Sequence, residues 1–123
     1  DFVVDILPAT ASTNDFFDRS RFGQFKSGAV FINVGRGNSV DEAALVAALE
    51  SGQLAGAGLD VTKAEPLPED SALWAAPNLL LTPHIAGPSE MYVDRAVGAF
   101  CENLRAFIAG RDMPQRIDRE RGY

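Results

Sequence analysis

The sequence predicts an α/β fold, a parallel β-sheet with helices packed on its faces. Two observations carry this reading. Short apolar segments alternate with helical ones in the order strand, helix, strand, helix, strand, loop, strand, helix. The apolar, β-branched run at 29–34 then stops abruptly at Gly35-Arg36-Gly37, just ahead of a helix start. Such a run reads as a strand buried on both faces, as in a parallel sheet.

Taken in order, residues 2–7 form a first short strand, stopped by Pro8. A polar loop of small residues follows at 9–14. Asp18 is a good N-cap for a short helix through Arg21, Phe22 and Phe25, which Ser27-Gly28 ends. After the 29–34 strand, Ser39 and Glu42 have capping-box spacing, with Asp41 as an alternative cap. The helix from Glu42 to Glu50 carries Leu45, Val46 and Leu49 on one face. Residues 54–61 form a strand so rich in Ala and Gly that a close neighbour is expected against it. A proline-bearing loop spans 62–77, with Trp74 expected to anchor it to the core. The last strand is 79–82, ended by Pro83-His84. A long helix over 89–109 carries Val93, Val97, Phe100, Leu104 and Phe107 at helical spacing, and a charged tail with Pro114 follows.

The 123 residues suffice for one domain with a real core. A net charge of −6 without a basic patch argues against nucleic acid and anionic membranes as partners. The single Cys101 excludes an internal disulfide and fits a reducing, cytoplasmic setting. No apolar stretch approaches the length of a membrane span, and none reads as a signal peptide. The chain starts without Met, and its first residues already read as a strand in mid-fold, so further strands are expected upstream of it.

The chemistry lies at the strand ends, where open α/β sheets bind ligands. Arg36 follows the second strand, Asp60 sits at the end of the third with Glu65 shortly beyond, and His84 follows the fourth. If the strands are parallel, these ends share one edge. Each residue alone has a plain reading: a surface arginine, a strand-end cap, a solvated loop acid, a structural histidine. Leu7-Pro8 alone is a strand terminator. Together they form a set. A guanidinium grips a carboxylate with two parallel hydrogen bonds. A carboxylate beside a histidine favours the imidazolium, which can then give up a proton. The set suits proton exchange at the oxygen of a 2-oxo or 2-hydroxy acid. One Cys and one His cannot make a zinc site, so no metal is expected. No Gly-x-Ser-x-Gly elbow is present. Proton transfer without nucleophile or metal needs a second reagent, which a hydride-carrying cofactor supplies.

Three motifs make the chain resemble the NAD(P)-dependent D-isomer-specific 2-hydroxyacid dehydrogenases over nearly its whole length. They are Asn33-Val34-Gly35-Arg36-Gly37 followed by Val40-Asp41-Glu42, then Gly58-Leu59-Asp60-Val61 leading to Glu65-Pro66-Leu67, then Thr82-Pro83-His84-Ile85-Ala86-Gly87. The tail at 117–123 further resembles the end of bacterial glyoxylate/hydroxypyruvate reductases. Glu65 sets aside the formate dehydrogenase branch, which carries glutamine there. The Thr10-Ala11-Ser12-Thr13 loop lacks a proline common in the family.

The resemblance implies the second half of a Rossmann-type doubly wound parallel sheet. Residues 1–88 would be the C-terminal half of the NAD(P)-binding domain. Residues 89–123 would be a helix and tail returning to a substrate domain upstream. It implies a catalytic set of Arg36 on the substrate, His84 as proton donor and Glu65 as its partner. It implies that Leu7, Pro8, Val34, Gly35, Ala86 and Gly87 line NAD(P)(H), that Asp60 approaches the nicotinamide carboxamide, and that Thr13 reaches the phosphates. A small 2-oxo acid would be the substrate and a homodimer the assembly. The alternative is a dinucleotide-sensing, corepressor-like protein on the same fold.

Overall fold

The computed structural model describes residues 1–120. Arg121, Gly122 and Tyr123 lie outside the described residues, and with them the end of the tail signature. Four strands, β1 (Phe2–Asp5), β2 (Ala29–Asn33), β3 (Leu54–Leu59) and β4 (Leu79–Leu81), form one sheet in the order β1-β2-β3-β4. All three pairings are parallel. The helices are α1 (Arg19–Gln24), α2 (Glu42–Glu50) and α3 (Tyr92–Ile108), with single 3₁₀ turns at Gly37–Ser39 and Ala72–Ala75. The chain divides into a unit Asp1–Ala86, which holds the sheet, and a second unit from Gly87 onward, which holds α3.

Local chemistry explains the boundaries. Asp18 caps α1 by accepting the Arg21 N–H, and Asp41, not Ser39, caps α2 by accepting the Ala44 N–H. β1 ends at Asp5 rather than Leu7, because the Leu7 N–H turns back to the Asp5 side chain and leaves the ladder. β3 stops at Leu59 and β4 at Leu81, each short of the expected end. α3 starts at Tyr92 rather than 89: Ser89 accepts the Tyr92 N–H in a turn, and no side chain caps the helix.

The core of the first unit lies between the sheet and α1 and α2. Phe17, Phe22 and Phe31 form its aromatic centre, with Phe17–Phe31 and Phe22–Phe31 ring centroids 4.9 and 5.3 Å apart. Leu45 and Leu49 from α2, Leu54 and Leu59 from β3, and Leu73 close around it. Removing a ring such as that of Phe31, fully buried here, costs roughly 3–5 kcal/mol.

Three expectations are corrected. The β2 run is not buried on both faces: Ala29, Phe31 and Asn33 are buried, while Val30 and Ile32 between them are only half-buried. Strand side chains alternate, and the core takes one set of them. Trp74 does not anchor its loop to the core. It is 58% exposed and donates Nε1–H to the Pro68 carbonyl, while its neighbour Leu73 is the buried anchor. The small residues of β3 are only partly explained by close packing: a Cβ on Gly56 would sit 3.1 Å from the Asn78 carbonyl oxygen, but one on Gly58 would meet nothing within 4 Å.

Candidate active site

Parallel pairing brings the chain segments after β2, β3 and β4 to one edge of the sheet. There Arg36, Glu65 and His84 line a single cavity of about 270 Å³, with Thr62 and Lys63 among the other walls. A larger hollow of about 590 Å³ adjoins it, sharing Thr62, Glu65 and His84 and reaching Asp60, Leu67 and Trp74. The three residues expected to act together are therefore together.

His84 Nδ1 and Glu65 Oε2 are 2.7 Å apart. The other Glu65 oxygen accepts the Thr62 N–H at 3.0 Å. With Nδ1 tied to a carboxylate, Nε2 is the ring nitrogen left to meet a ligand. The His84 hydrogen bond, then the Thr62 amide, hold Glu65 below its usual range; the His84 charge adds to this, against burial and the charge of Asp60. The folded state thus binds the Glu65 proton less readily than the unfolded chain. Its stabilisation is complete above the ordinary glutamate value of 4.5 and is lost as pH falls through the lowered value. The melting-temperature gap between wild type and Glu65→Gln is expected at neutral pH and should close on acidification. A gap that is constant with pH would contradict the pair.

His84 has a left-handed backbone, φ +54°, a conformation that costs a non-glycine residue free energy and is held only by its surroundings. Asp60 does the holding. Its backbone carbonyl accepts the His84 N–H at 2.9 Å. Oδ1 accepts the Thr82 hydroxyl at 2.6 Å and the Ile85 N–H at 2.9 Å, and Oδ2 accepts the Ala86 N–H at 2.8 Å. Burial pushes the Asp60 carboxyl up, but the Thr82, Ala86 and Ile85 donors and the His84 charge outweigh it and keep it below the usual carboxylate range.

Arg36 is exposed at the mouth of the cavity, its guanidinium donating to the Gly35 carbonyl at 2.7 Å. Close packing requires the glycines on either side. A Cβ on Gly35 would lie 2.9 Å from backbone atoms of Ile6. On Gly37 it would lie 2.0 Å from the Thr62 carbonyl carbon. Both positions admit the backbone of the neighbouring segment, a contact no side chain permits.

Of the residues expected at a cofactor, Leu7 and Pro8 are half-buried, the Leu7 nitrogen lying close to Gly35, and Val34 is exposed just past the end of β2. Ala86 is fixed by Asp60, and Gly87 opens the second unit. Thr13 donates its single O–H to the Pro8 carbonyl at 2.6 Å and accepts the Thr10 N–H at 2.9 Å, so here it shapes its own loop.

Asn33, Asp5 and Ser39 back the Arg36 turn, a role that the sequence reading gave to none of them. Asn33 is fully buried; its Oδ1 accepts the Gly35 N–H at 2.9 Å and its Nδ2 donates to the Arg36 carbonyl at 3.0 Å. The signal that could have found Asn33 and Asp5 is a polar residue inside an apolar strand run, which must have partners if buried. Among the described residues no group of three or more His, Cys, Asp or Glu is placed to hold a metal ion, and no helix is long and apolar enough to cross a membrane.

The chain has relatives among known proteins. A family model described as D-isomer specific 2-hydroxyacid dehydrogenase, NAD binding domain, matches residues 1–86. Glyoxylate/hydroxypyruvate reductase B of Citrobacter koseri is 54% identical over 111 residues, 90% of this chain and 34% of the relative. A D-isomer specific 2-hydroxyacid dehydrogenase from Xanthobacter autotrophicus Py2, solved with NADPH and MES, superposes with a TM-score of 0.89 at 45% identity, covering 99% of this chain and 39% of that one. An NADPH-dependent glyoxylate/hydroxypyruvate reductase from Sinorhizobium meliloti, solved with NADP and sulfate, gives 0.89 at 35% identity, covering 100% and 40%. The chain spans about a third of the length of the curated relatives it matches.

Proposed function

Since the chain belongs to the D-isomer-specific 2-hydroxyacid dehydrogenases, we propose that it carries the reacting groups of an NAD(P)H-dependent reductase of small 2-oxo acids, of the glyoxylate or hydroxypyruvate kind. The observation that carries this reading is the shared cavity of Arg36, Glu65 and His84, with His84 Nδ1 held by Glu65. The relatives named for glyoxylate and hydroxypyruvate support the substrate class.

When bound, the reduced nicotinamide supplies a hydride to the carbonyl carbon. The chain supplies the rest. Arg36 holds the substrate carboxylate through paired N–H donors. As the carbonyl carbon is reduced, its oxygen gathers the electron pair of the C=O bond, and His84 Nε2 gives that oxygen a proton. Glu65 offsets the positive charge of the imidazolium before transfer, and in oxidation the proton returns to the same nitrogen. The residues present fit the cofactor. Val34 offers an exposed apolar side chain just past β2, and Leu7 and Pro8 follow the end of the neighbouring β1, apolar groups suited to a flat ring. Asp60 Oδ2, bound to one amide, retains capacity for a carboxamide N–H. The Gly-x-Gly-x-x-Gly turn that binds a pyrophosphate is not among these 123 residues. The reading therefore places the chain within a longer polypeptide that supplies this turn and a substrate domain, with the apolar face of α3 serving that domain. We read the assembly as a cytoplasmic homodimer.

The test is a panel of 2-oxo acids with NADPH and NADH, using the polypeptide that includes a substrate domain. Substrate-dependent oxidation of the cofactor is expected. Dinucleotide binding without any turnover would instead mark a sensing protein. Arg36→Ala should raise KM for the 2-oxo acid by about 10²-fold, as loss of a paired charge-assisted contact of roughly 2–3 kcal/mol implies. Steady-state kinetics check this, and an unchanged KM would remove Arg36 from the substrate.

A further inference from the structure

Behind the Arg36 turn lies a buried polar pair that the reaction above does not use. Asp5 at the end of β1 and Ser39 at the end of the 3₁₀ turn are 1% and 0% exposed, although 34 residues separate them in sequence. The Ser39 hydroxyl is within hydrogen-bond reach of Asp5 Oδ2 and of the Arg36 carbonyl oxygen, the latter at 2.7 Å. It has one hydrogen to give. The Arg36 carbonyl already receives the Asn33 Nδ2 at 3.0 Å and the Ser39 backbone N–H at 3.3 Å. The hydroxyl hydrogen therefore belongs on Asp5 Oδ2. The other Asp5 oxygen accepts the Leu7 N–H at 2.9 Å. One carboxyl thus joins the turn that presents Arg36 to the chain segment that carries Leu7 and Pro8.

We propose that Asp5 and Ser39 are positioning residues: their buried bond, with its links to the Arg36 carbonyl and the Leu7 amide, holds the substrate-gripping turn at a fixed distance from the cofactor-facing end of β1. This rests on the reductase reading above. A pair serving stability alone has no reason to end on the backbone atoms of those two segments. Here Asp5 accepts the Leu7 N–H, and Ser39 gives its own backbone N–H to the Arg36 carbonyl.

The experiment compares Ser39→Ala, Asp5→Val, the double variant and Asp5→Asn in the polypeptide that includes the substrate domain. Ser39→Ala leaves Asp5 Oδ2 without its donor, and Asp5→Val takes the acceptor from the Leu7 N–H and turns the Ser39 hydroxyl onto the Arg36 carbonyl, so both should melt lower than wild type. The double variant removes the Asp5–Ser39 pair but leaves the Leu7 N–H without its acceptor, so it should melt above Ser39→Ala yet below wild type. KM for the 2-oxo acid should rise about 5–20-fold in the singles and stay raised in the double, with kcat within about threefold, because misplacement of a binding group weakens the grip rather than the proton transfer. Asp5→Asn keeps an acceptor for Leu7 and a donor for Ser39, and should restore KM to within about twofold. A KM that recovers in the double together with stability, or that never moves in the singles, would overturn the proposal. Amide exchange at residues 35–38 reads the same device without turnover and should quicken in Ser39→Ala. If wild type reduces no 2-oxo acid, the reductase reading fails by itself. Unchanged exchange would still sink the positioning role.

Discussion

His84→Ala is expected to lower kcat by roughly 10²–10⁴-fold, the usual worth of a positioned general acid, while KM for the 2-oxo acid moves little because Arg36 still grips it. Steady-state rates with NAD(P)H measure both. The expectation follows from the geometry: Glu65 occupies Nδ1 at 2.7 Å, so the imidazole can face a ligand only through Nε2. No other histidine exists to substitute for it. Rates within tenfold of wild type would refute the mechanism. The same position separates chemistry from strain. With φ at +54°, alanine inherits the unfavourable backbone of His84, and glycine does not. His84→Gly should therefore be as inactive as His84→Ala yet more stable by about 1 kcal/mol in chemical denaturation.

Gly37→Ala is expected to cost about 3 kcal/mol or more, at the upper end of what overpacking does. The added methyl would stand 2.0 Å from the Thr62 carbonyl carbon, 2.1 Å from its oxygen and 2.7 Å from the Lys63 nitrogen. These are backbone atoms, which cannot swing aside as the tip of a side chain could. Relief requires moving the 62–65 segment, which carries Glu65 away from His84. Activity should fall along with stability. Gly58→Ala is the control: its methyl would meet nothing within 4 Å, and a change within about 0.5 kcal/mol is expected. Equal effects of the two substitutions would contradict the packing described.

Much of this was legible beforehand, for reasons that can be stated. The strands were visible because apolar β-branched runs in a parallel sheet end abruptly at glycine or proline, as at Gly35 and Pro83. Arg36, Glu65 and His84 were visible because parallel strands bring residues at equivalent ends to one edge. What was hidden depends on atoms far apart in sequence. Nothing near Gly37 announces that Thr62 passes against it. Asp5 looks like a stray charge until Ser39, 34 residues on, is seen to meet it. Trp74 misled because size suggests burial, whereas Leu73 beside it fills the space. The left-handed backbone of His84 was equally invisible, since it is imposed by Asp60 from another strand end.

The order β1-β2-β3-β4 also sets a length scale. Neighbouring strands in a sheet stand about 4.8 Å apart. Arg36 leaves the end of β2 and His84 the end of β4, with one strand between, so their points of departure are about 10 Å apart. Arginine and histidine side chains are together long enough to span that interval, so a molecule that touches both must be short. On the reductase reading proposed above, a short 2-oxo acid would touch both at once, with its carboxylate at one end and its carbonyl at the other. A longer acid must send its remaining carbons out of that line. The rank of the strands, before any lining side chain is considered, thus limits how far apart the two recognised groups of a substrate can be.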